Sequence, residues 1–380
     1  MGKKLNKLRN NFFFIDINTT TECNLRCKYC IEPFKENKDL KEETIDVFIN
    51  RLEELFNTTF MKQYDGVTLG FWGGEPTLNP KAMTKLIEHY ANDDRVKFLV
   101  YSNGYKINHI KPLIEKFKDI KIDNHPKVFY QISYDGKAAH NFNRVSKTGK
   151  ATVDEVRESI HWAIKENIPF SIKSTINRET FHLMDECYED IRELLGEKDT
   201  TYFPTIDYLT NIKITEEDKK RYYKDLEKSL VNIAAKEIEF YKKHKRFFFS
   251  WFNKGKALCG AGSHGLAMDT DGTVYKCHGT FYSDHKEDNR VTSIYRDTFT
   301  DDIEKSCNMH KGIFGIMPEE CTNCYSEFCL RCNSMCYEIS KKETFSEKWN
   351  DYTNQPEICE LYKLATQVKW GVIKTMGLKG

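Results

Sequence analysis

The chain has 380 residues, with 58 Lys and Arg against 57 Asp and Glu and a formal net charge of +1 at pH 7. This balance leaves no overall field that would attract nucleic acid or an anionic membrane surface, and no segment approaches the roughly 18 apolar residues of a membrane span. The sequence therefore predicts a cytoplasmic protein without a nucleic-acid or membrane partner, long enough for one large domain and a smaller one.

The chain contains 13 cysteines, an odd number. The amino-terminal stretch is basic, but its apolar run, Phe12 to Ile15, is too short for the core of a signal peptide. Because the cytosol keeps thiols reduced, clustered cysteines in that setting more often bind metal or take part in chemistry than form disulfides. We therefore expect metal centres rather than a disulfide framework.

Short β-rich segments alternate with amphipathic helical segments over the first 210 residues. The predicted strands are 12–20, 66–72, 96–103, 128–135, 170–177 and 201–209. Predicted helices include 41–60, 152–167 and 182–197. The alternation predicts an α/β fold with a parallel sheet and right-handed crossovers, either an open doubly wound sheet or a partial barrel.

Polar or glycine-rich motifs follow each of the first four predicted strands. They are "CNLRCKYC" (23–30), "GGEP" (73–76), "SNG" (102–104) and "SYDG" (133–136). A glycine pair or an Asp-Gly step alone is an ordinary turn. The carboxyl ends of parallel strands, however, meet at one rim, where α/β folds place their sites. The four motifs together predict a functional site at this rim of the sheet.

Three cysteines, Cys23, Cys27 and Cys30, lie within eight residues and have no fourth beside them. Three thiolates can bind three corners of a cubane [4Fe-4S] cluster and leave the fourth iron open to another ligand, whereas a structural zinc site takes four protein ligands. A zinc site completed from elsewhere in the chain, or three incidental cysteines, is the alternative.

The cysteine spacing, Tyr29 before the last cysteine and "GGEP" one strand later resemble the radical S-adenosylmethionine (SAM) enzymes. The resemblance covers roughly residues 12–210 and implies a partial (β/α)6 barrel. It also implies that SAM chelates the open iron and is cleaved reductively to a 5'-deoxyadenosyl radical, which abstracts a hydrogen atom from the substrate. The implied SAM contacts are with its amino group (Gly73, Gly74, Glu75), its ribose (Ser102, Asn103), its ribose or carboxylate (Ser133, Arg144) and its adenine (Tyr29).

A helical linker, 211–256, and a cysteine-rich domain, 257–380, are predicted after the barrel domain, 1–210. The aromatic segment "FFFSWF" (247–252) is expected to pack in the core rather than to line a substrate groove. "DTDG" (269–272) predicts a hairpin whose ends bring thiols together.

The cysteines of this second domain are similar in order to the SPASM extension, which implies two auxiliary [4Fe-4S] clusters and three clusters in all. The first auxiliary set would be Cys259, Cys277 and Cys336, and the second Cys321, Cys324, Cys332 and Cys359. The spacing leaves open whether Cys329 replaces Cys332, and Cys307 or Cys329 could complete the first set. Two C-x2-C pairs are also a good zinc pattern. Cys187 is expected to be a buried apolar residue.

Enzymes with this extension mostly modify peptides or proteins. The resemblance therefore implies a thioether or carbon–carbon crosslink in a ribosomally made peptide, with the auxiliary clusters accepting an electron. Formylglycine formation in sulfatases is an alternative, weakened because His278 stands where those enzymes carry a catalytic Asp, although His278 could itself serve as the base. An iron–sulfur electron-transfer or sensor protein would explain the cysteines but not "GGEP".

The first predicted strand begins near Phe12, which leaves no room for an amino-terminal leader-recognition domain. We therefore expect a separate leader-binding partner, or else a small substrate or a folded protein. The radical chemistry further implies a flavodoxin- or ferredoxin-like electron donor.

Overall fold

The structure, a computed structural model, describes residues 11–30, 32, 37–122, 124–196, 202–206, 215–253, 260–281, 286–309, 324–327, 329 and 356–378. The predicted domain boundaries, after residues 210 and 256, both lie outside these ranges and stay proposals. None of the described helices is both long enough and apolar enough to span a membrane.

The six strands predicted for the barrel are present close to their predicted positions, as β1, β3, β4, β7, β9 and β10. In chain order they are β1 (Phe12–Thr20), β2 (Leu25–Cys27), β3 (Gly66–Gly73), β4 (Val96–Ser102), β5 (Lys121–Ile122), β6 (His125–Pro126), β7 (Val128–Ser133), β8 (Arg144–Ser146), β9 (Phe170–Ile176), β10 (Tyr202–Ile206), β11 (Gly265–Met268), β12 (Thr273–Tyr275) and β13 (Arg290–Ser293). The barrel strands pair in parallel in the order β1, β3, β4, β7, β9 and β10. The predicted α/β fold with a partial barrel is confirmed.

Helices connect the successive barrel strands. In chain order the helices are α1 (Glu42–Phe56), α2 (Pro80–His89), α3 (Lys111–Phe117), α4 (Lys137–Asn143), α5 (Val153–Lys165), α6 (Met184–Leu195), α7 (Glu216–His244), α8 (Phe299–Met309) and α9 (Pro356–Thr375). The longest, α7, begins at a capping box formed by Thr215 and Asp218, which satisfies backbone donors at its start.

Side chains alternate between two environments along the barrel strands. In β9, Ile172 and Ile176 are buried in a hydrophobic core that also contains Ile160 of α5 and Ile191 of α6. Lys173, between them, is only partly buried. The helices thus cover one face of the sheet, and the residues of the other parity line the interior of the partial barrel. We call this side the inner face; it carries Asp16, Trp72, Tyr101, Gln131, Ser133 and Lys173.

The predicted hairpin at 269–272 is present, and its place in the fold is unexpected. β11 and β12 pair in antiparallel fashion, with Gly272 at a φ of 81° where a side chain would be strained. β11 also pairs in parallel with β1, so that β11, β12 and β13 extend the barrel sheet to nine strands. The cysteine-rich region therefore shares a sheet with the barrel.

The aromatic segment 247–252 packs in the core, as predicted. Phe247, Phe249 and Trp251 are all buried, and the Trp251 indole Nε1 donates a hydrogen bond of 2.9 Å to the backbone oxygen of Pro204. Burial of these rings against β10 attaches the segment after α7 to the edge of the barrel.

The same junction depends on a buried carboxylate. Glu237 of α7 is fully buried and accepts hydrogen bonds from the backbone nitrogens of Phe248 (2.9 Å) and Phe249 (3.2 Å) and from the Tyr188 hydroxyl. Glu237→Ala would leave these donors without an acceptor, and we expect it to lower the free energy of unfolding by about 3 kcal/mol in urea titrations. Glu239→Ala, at an exposed site two residues later, is the matched control, with an expected change of at most about 0.5 kcal/mol. Equal effects of the two variants would contradict this role.

Candidate functional site

The cysteine loop follows β1 at the rim of the barrel. Cys23 is buried, Cys27 ends β2, and the Cys30 backbone nitrogen donates to the Cys27 oxygen at 3.2 Å. β2 pairs with β8, so that Cys27 lies directly opposite Arg144. The loop is therefore held by a small sheet of its own rather than left as an irregular connection.

Hydrogen-bond donors surround the sulfur atoms of this loop. The backbone nitrogen of Leu25 lies 3.4 Å from the Cys23 Sγ, and the Asn103 side-chain nitrogen lies 3.9 Å from the same atom. The Arg144 Nη1 lies 3.8 Å from the Cys27 Sγ. Donors and a cation stabilise thiolates, and hydrogen bonds to sulfur are a normal feature of iron–sulfur sites. These residues fit a [4Fe-4S] cluster with three cysteine ligands.

Within the described ranges, no three His, Cys, Asp or Glu side chains converge to hold a single metal ion. A cubane cluster does not need such convergence, because each of its thiolates binds a different iron.

Two glycines bring the end of β3 against the cysteine loop. A Cβ on Gly74 would collide with the backbone oxygen of Glu22, and one on Gly73 with that of Thr20. Gly73 also has a φ of 135°, which disfavours any residue with a side chain. This close packing is stabilised by hydrogen bonds from the Gly74 nitrogen to the Thr20 oxygen (2.8 Å) and from the Glu75 nitrogen to the Glu22 oxygen (2.7 Å).

The carboxylate of Glu75 is buried and bonded to the protein itself. Oε1 accepts hydrogen bonds from the backbone nitrogen and hydroxyl of Thr77 (3.3 and 2.7 Å) and from the Ser102 hydroxyl (3.0 Å), and Oε2 accepts one from the Asn103 nitrogen (2.7 Å). Burial raises the pKa of Glu75, and these hydrogen bonds oppose the shift. A carboxylate offers about four lone-pair sites, so little capacity remains in this one for a ligand.

Asp135 joins a second set of rim residues. Its Oδ2 accepts hydrogen bonds from the Tyr29 hydroxyl and, at 3.1 Å, from the Arg144 Nε. Its Oδ1 accepts one from the backbone nitrogen of Thr175 in β9 at 3.0 Å. Burial raises the pKa of Tyr29 well above its ordinary value, so the phenol stays protonated and donates. The Arg144 guanidinium also lies 5.1 Å from the centre of the Tyr29 ring.

Ser133 lies on the inner face of the barrel, and His278 packs against that face. Ser133 ends β7, is partly buried, and lies in register with Lys173 of β9. The His278 Nδ1 makes a hydrogen bond of 2.6 Å with the Asp16 Oδ2, and its ring centre lies 4.4 Å from that of Trp72. Burial lowers the pKa of His278, but the Asp16 carboxylate more than offsets this and the net shift is upward.

Asp16 and Asp135 are the two residues at the site whose roles the sequence did not predict. Asp16 had one signal, an acidic residue within the otherwise apolar strand "FFFIDI". Asp135 is the last residue of the fourth predicted strand and belongs to the rim motif "SYDG", but the sequence assigned it no partner.

The structure locates part of the predicted auxiliary cysteine sets. Cys324, Cys329 and Cys359 are close enough for the charges of the first two to raise the pKa of the Cys359 thiol, after burial, which is the largest cause. Cys277 is partly buried at the end of the hairpin. The other predicted ligands lie outside the described residues: Cys259, Cys321, Cys332 and Cys336.

Two cysteines occupy apolar surroundings. Cys187 on α6 is buried against Gly136, as predicted, and burial raises its pKa to about 12. Cys307 on α8 is buried in the hydrophobic core, and burial likewise raises its pKa to about 12. Both thiols are thus buried within the described part of the chain.

Comparison with known proteins supports the assignment of the barrel. Residues 17–196 match the sequence model of the Radical SAM superfamily. The radical SAM cyclopropyl synthase TigE of Paramaledivibacter caminithermalis is 22% identical over 299 residues, covering 70% of this chain and 57% of TigE. The uncharacterized protein MJ0907 of Methanocaldococcus jannaschii is 29% identical over 174 residues, covering 45% of this chain and 55% of that protein. The chain thus spans a little over half the length of these curated relatives.

Solved structures share the fold over nearly the whole chain. Native anSMEcpe with bound AdoMet superposes with a TM-score of 0.69 at 19% identity, covering 96% of this chain and 99% of that one. SuiB of Streptococcus suis bound to the precursor peptide SuiA superposes with a TM-score of 0.59 at 13% identity, covering 90% of this chain and 75% of that one. The resemblance read from the cysteine and "GGEP" motifs is confirmed.

The close packing at Gly74 gives a direct test of the rim. Gly74→Ala would push the Glu22 backbone, and with it the cysteine loop, away from β3. We expect the amount of amino-terminal cluster bound by the variant to fall at least threefold. The loss of charge-transfer absorbance after anaerobic reconstitution measures this change. Gly371→Ala, in α9, is the matched control because a Cβ there meets no atom within 4 Å. An unchanged spectrum in Gly74→Ala would show that the loop tolerates the displacement.

Proposed function

We propose that this chain, whose residues 17–196 belong to the radical SAM superfamily, uses a SAM-derived radical to oxidise a peptide or protein. The proposed substrate is a ribosomally made peptide, and the proposed product carries a thioether or carbon–carbon crosslink. The observation that carries the proposal is the packing of the cysteine loop against "GGEP" and Arg144 at one rim of the barrel. A metal-binding or sensor protein would need the cysteines but would need neither "GGEP" nor Arg144.

The cofactors of the proposed reaction are assigned to named residues. Cys23, Cys27 and Cys30 would hold the first [4Fe-4S] cluster, with the donors around Cys23 and Cys27 stabilising the charge of their thiolates. When bound, this cluster and SAM supply a 5'-deoxyadenosyl radical that abstracts a hydrogen atom from the substrate.

The SAM amino group is assigned to the backbone of the "GGEP" segment rather than to the Glu75 carboxylate. That carboxylate already accepts four hydrogen bonds. The backbone nitrogens of Gly74 and Glu75 point to the cysteine loop, so backbone oxygens of the segment are the acceptors left for an ammonium group. Glu75 would act by fixing Ser102 and Asn103, the proposed ribose contacts.

Ser133 and Arg144 are proposed for the ribose or carboxylate end of SAM, and Tyr29 for the vicinity of adenine. Asp135 supports this part of the site, because it holds both Tyr29 and the Arg144 guanidinium in place. A fixed guanidinium loses little freedom when it binds a carboxylate, which favours tight and oriented binding.

The auxiliary clusters would accept the electron released in an oxidative crosslink. For one cluster we infer Cys324, Cys329 and Cys359, because these three thiols lie close together, with Cys321 as the fourth ligand. For the other we retain Cys259, Cys277 and Cys336. The sequence alone did not decide between Cys329 and Cys332, and the electrostatic coupling of Cys329 with Cys359 favours Cys329.

The peptide as substrate class draws support from the fold. The structures that share it include SuiB with its precursor peptide SuiA and anSMEcpe with the Cp18Cys peptide. We extend a peptide substrate to this chain as a proposal. A flavodoxin- or ferredoxin-like donor and a separate leader-binding partner belong to the same proposal.

Formylglycine formation is the second candidate. The observation that favours it is the position of His278, which Asp16 and Trp72 hold against the inner face of the barrel after Cys277. Mass spectrometry would separate the two reactions, because formylglycine formation from a cysteine replaces its thiol by an aldehyde, whereas crosslinking removes two hydrogens and keeps the sulfur.

Metal analysis tests the cofactor assignment. Anaerobically prepared protein is expected to contain about 12 irons per chain and negligible zinc, as three cubane clusters require. About 4 irons with one or two zincs would make the second set of cysteines structural and would remove the proposed electron acceptor.

Cysteine variants test which cluster cleaves SAM and which is needed to form the product. Cys27→Ala is expected to abolish 5'-deoxyadenosine formation while retaining the iron of the auxiliary clusters. Cys359→Ala is expected to retain cleavage of SAM but to lose the crosslinked product. Cys187→Ala is the control, since that thiol is buried against Gly136, was not predicted as a ligand, and should leave the iron content unchanged. Cleavage of SAM by Cys27→Ala at the wild-type rate would refute the assignment.

A further inference from the structure

A lysine without a partner among the described residues lies on the inner face of the barrel. Lys173 is in the middle of β9, directly opposite Ser133 of β7. Its chain neighbours Ile172 and Ser174 are buried on the opposite face of the sheet. The lysine side chain therefore points into the interior, and three further residues of β9 separate it from the carboxyl end of that strand.

The ammonium of Lys173 has no hydrogen bond or ion pair with any residue that the structure describes. Other interior cations differ in this respect. Lys127 donates to the Asp93 backbone oxygen at 2.5 Å, Lys286 pairs with Asp269 at 2.7 Å, and Arg144 pairs with Asp135 at 3.1 Å. Burial alone lowers the pKa of Lys173 to about 8, a value at which most molecules still carry the charge near neutral pH. Even a partly desolvated charge without a described partner is costly for a fold to keep.

The side of the barrel interior formed by β1 carries a carboxylate instead of an ammonium group. Asp16 lies on β1, which three strands separate from β9 in the sheet, and its Oδ2 makes a hydrogen bond with His278. Its Oδ1 is buried without a hydrogen-bond partner in the described part of the structure. An anionic group entering the barrel would be attracted by the ammonium on β9, whereas the carboxylate on β1 already pairs with His278 and offers it no positive charge.

We propose that Lys173 is a specificity-determining residue that binds a carboxylate of the peptide substrate inside the barrel. The inference rests on the proposed function. Arg144, beside Cys27 at the rim, is proposed for the ribose or carboxylate end of SAM, whereas Lys173 lies within β9 below that rim, so we assign the lysine to the substrate. The carboxylate belongs either to an Asp or Glu side chain or to the carboxyl terminus of the peptide.

The test uses the anaerobically reconstituted holoenzyme with SAM and compares the wild type with Lys173→Gln and Lys173→Arg. Lys97→Gln is the matched control, because Lys97 is on the same face of the sheet near the start of β4, with its ammonium 4.0 Å from the centre of the Phe12 ring. Each protein is used to select peptides from two random synthetic peptide libraries, one with amidated and one with free carboxyl termini. Thermal unfolding and SAM affinity are measured on every variant.

We expect the wild type and Lys97→Gln to enrich an acidic residue, or a free carboxyl terminus, about tenfold over the starting library, a factor typical of one charged contact. Lys173→Arg should keep most of this preference, and Lys173→Gln should lose it while its SAM affinity stays within about twofold of the wild type. The library in which the enrichment occurs identifies the source of the carboxylate.

Each of four results would overturn the inference. An acidic preference that survives in Lys173→Gln would place the anion elsewhere. A tenfold loss of SAM affinity in that variant, without a change in peptide preference, would assign the lysine to SAM. Peptides recovered without any acidic preference would refute this inference alone, whereas failure of the wild type to bind any peptide would refute the proposed function with it.

Discussion

The buried carboxylate of Glu75 is the constraint on which the arrangement of the rim depends. It reaches from the end of β3 to the Ser102 hydroxyl and the Asn103 nitrogen at the end of β4. Backbone hydrogen bonds from Gly74 and Glu75 tie the same segment to the cysteine loop. Three motifs that are far apart in sequence are thus parts of one hydrogen-bonded unit. Removing a buried acceptor of this kind costs more than its bonds contribute, because the donors are left without partners.

Electrostatic interactions hold the rim residues around Asp135 and Arg144 in place. Asp135 and Arg144 are both buried and form an ion pair, which compensates each charge when the site holds no ligand. The Arg144 Nη1 meanwhile faces the Cys27 Sγ at 3.8 Å, where a thiolate would add negative charge. The guanidinium thus lies between two anions, and Asp135 also fixes Tyr29 and β9 through its remaining bonds. The orientation of Arg144 is set by the fold before any ligand binds.

The sequence predicted the elements well and their long-range contacts poorly, for physical reasons. The six barrel strands, β1, β3, β4, β7, β9 and β10, follow local alternation, and the motifs at the ends of the first four follow from the parallel topology. Glu75 was predicted as a ligand residue, but whether a carboxylate faces a ligand or the protein depends on donors from β4. The Asp16–His278 contact joins residues 262 positions apart and exists only because β11 pairs with β1. Lys173 had no motif to mark it, since its importance lies in the lack of a described partner.

The pairing of β11 with β1 carries the most consequence for the whole molecule. The cysteine loop begins at the end of β1, and Cys277 follows the hairpin whose first strand lies beside β1. A parallel register cannot slip by one residue without turning every side chain to the wrong face. Two side-chain contacts reinforce it, Asp16 with His278 and, at 2.9 Å, Asn18 with Asp269. The separation between the first cluster site and the proposed auxiliary site is therefore set by a shared sheet rather than by a linker. Because electron transfer falls off steeply with distance, a rigid connection of this kind suits a pathway between two clusters better than two independently folded domains would.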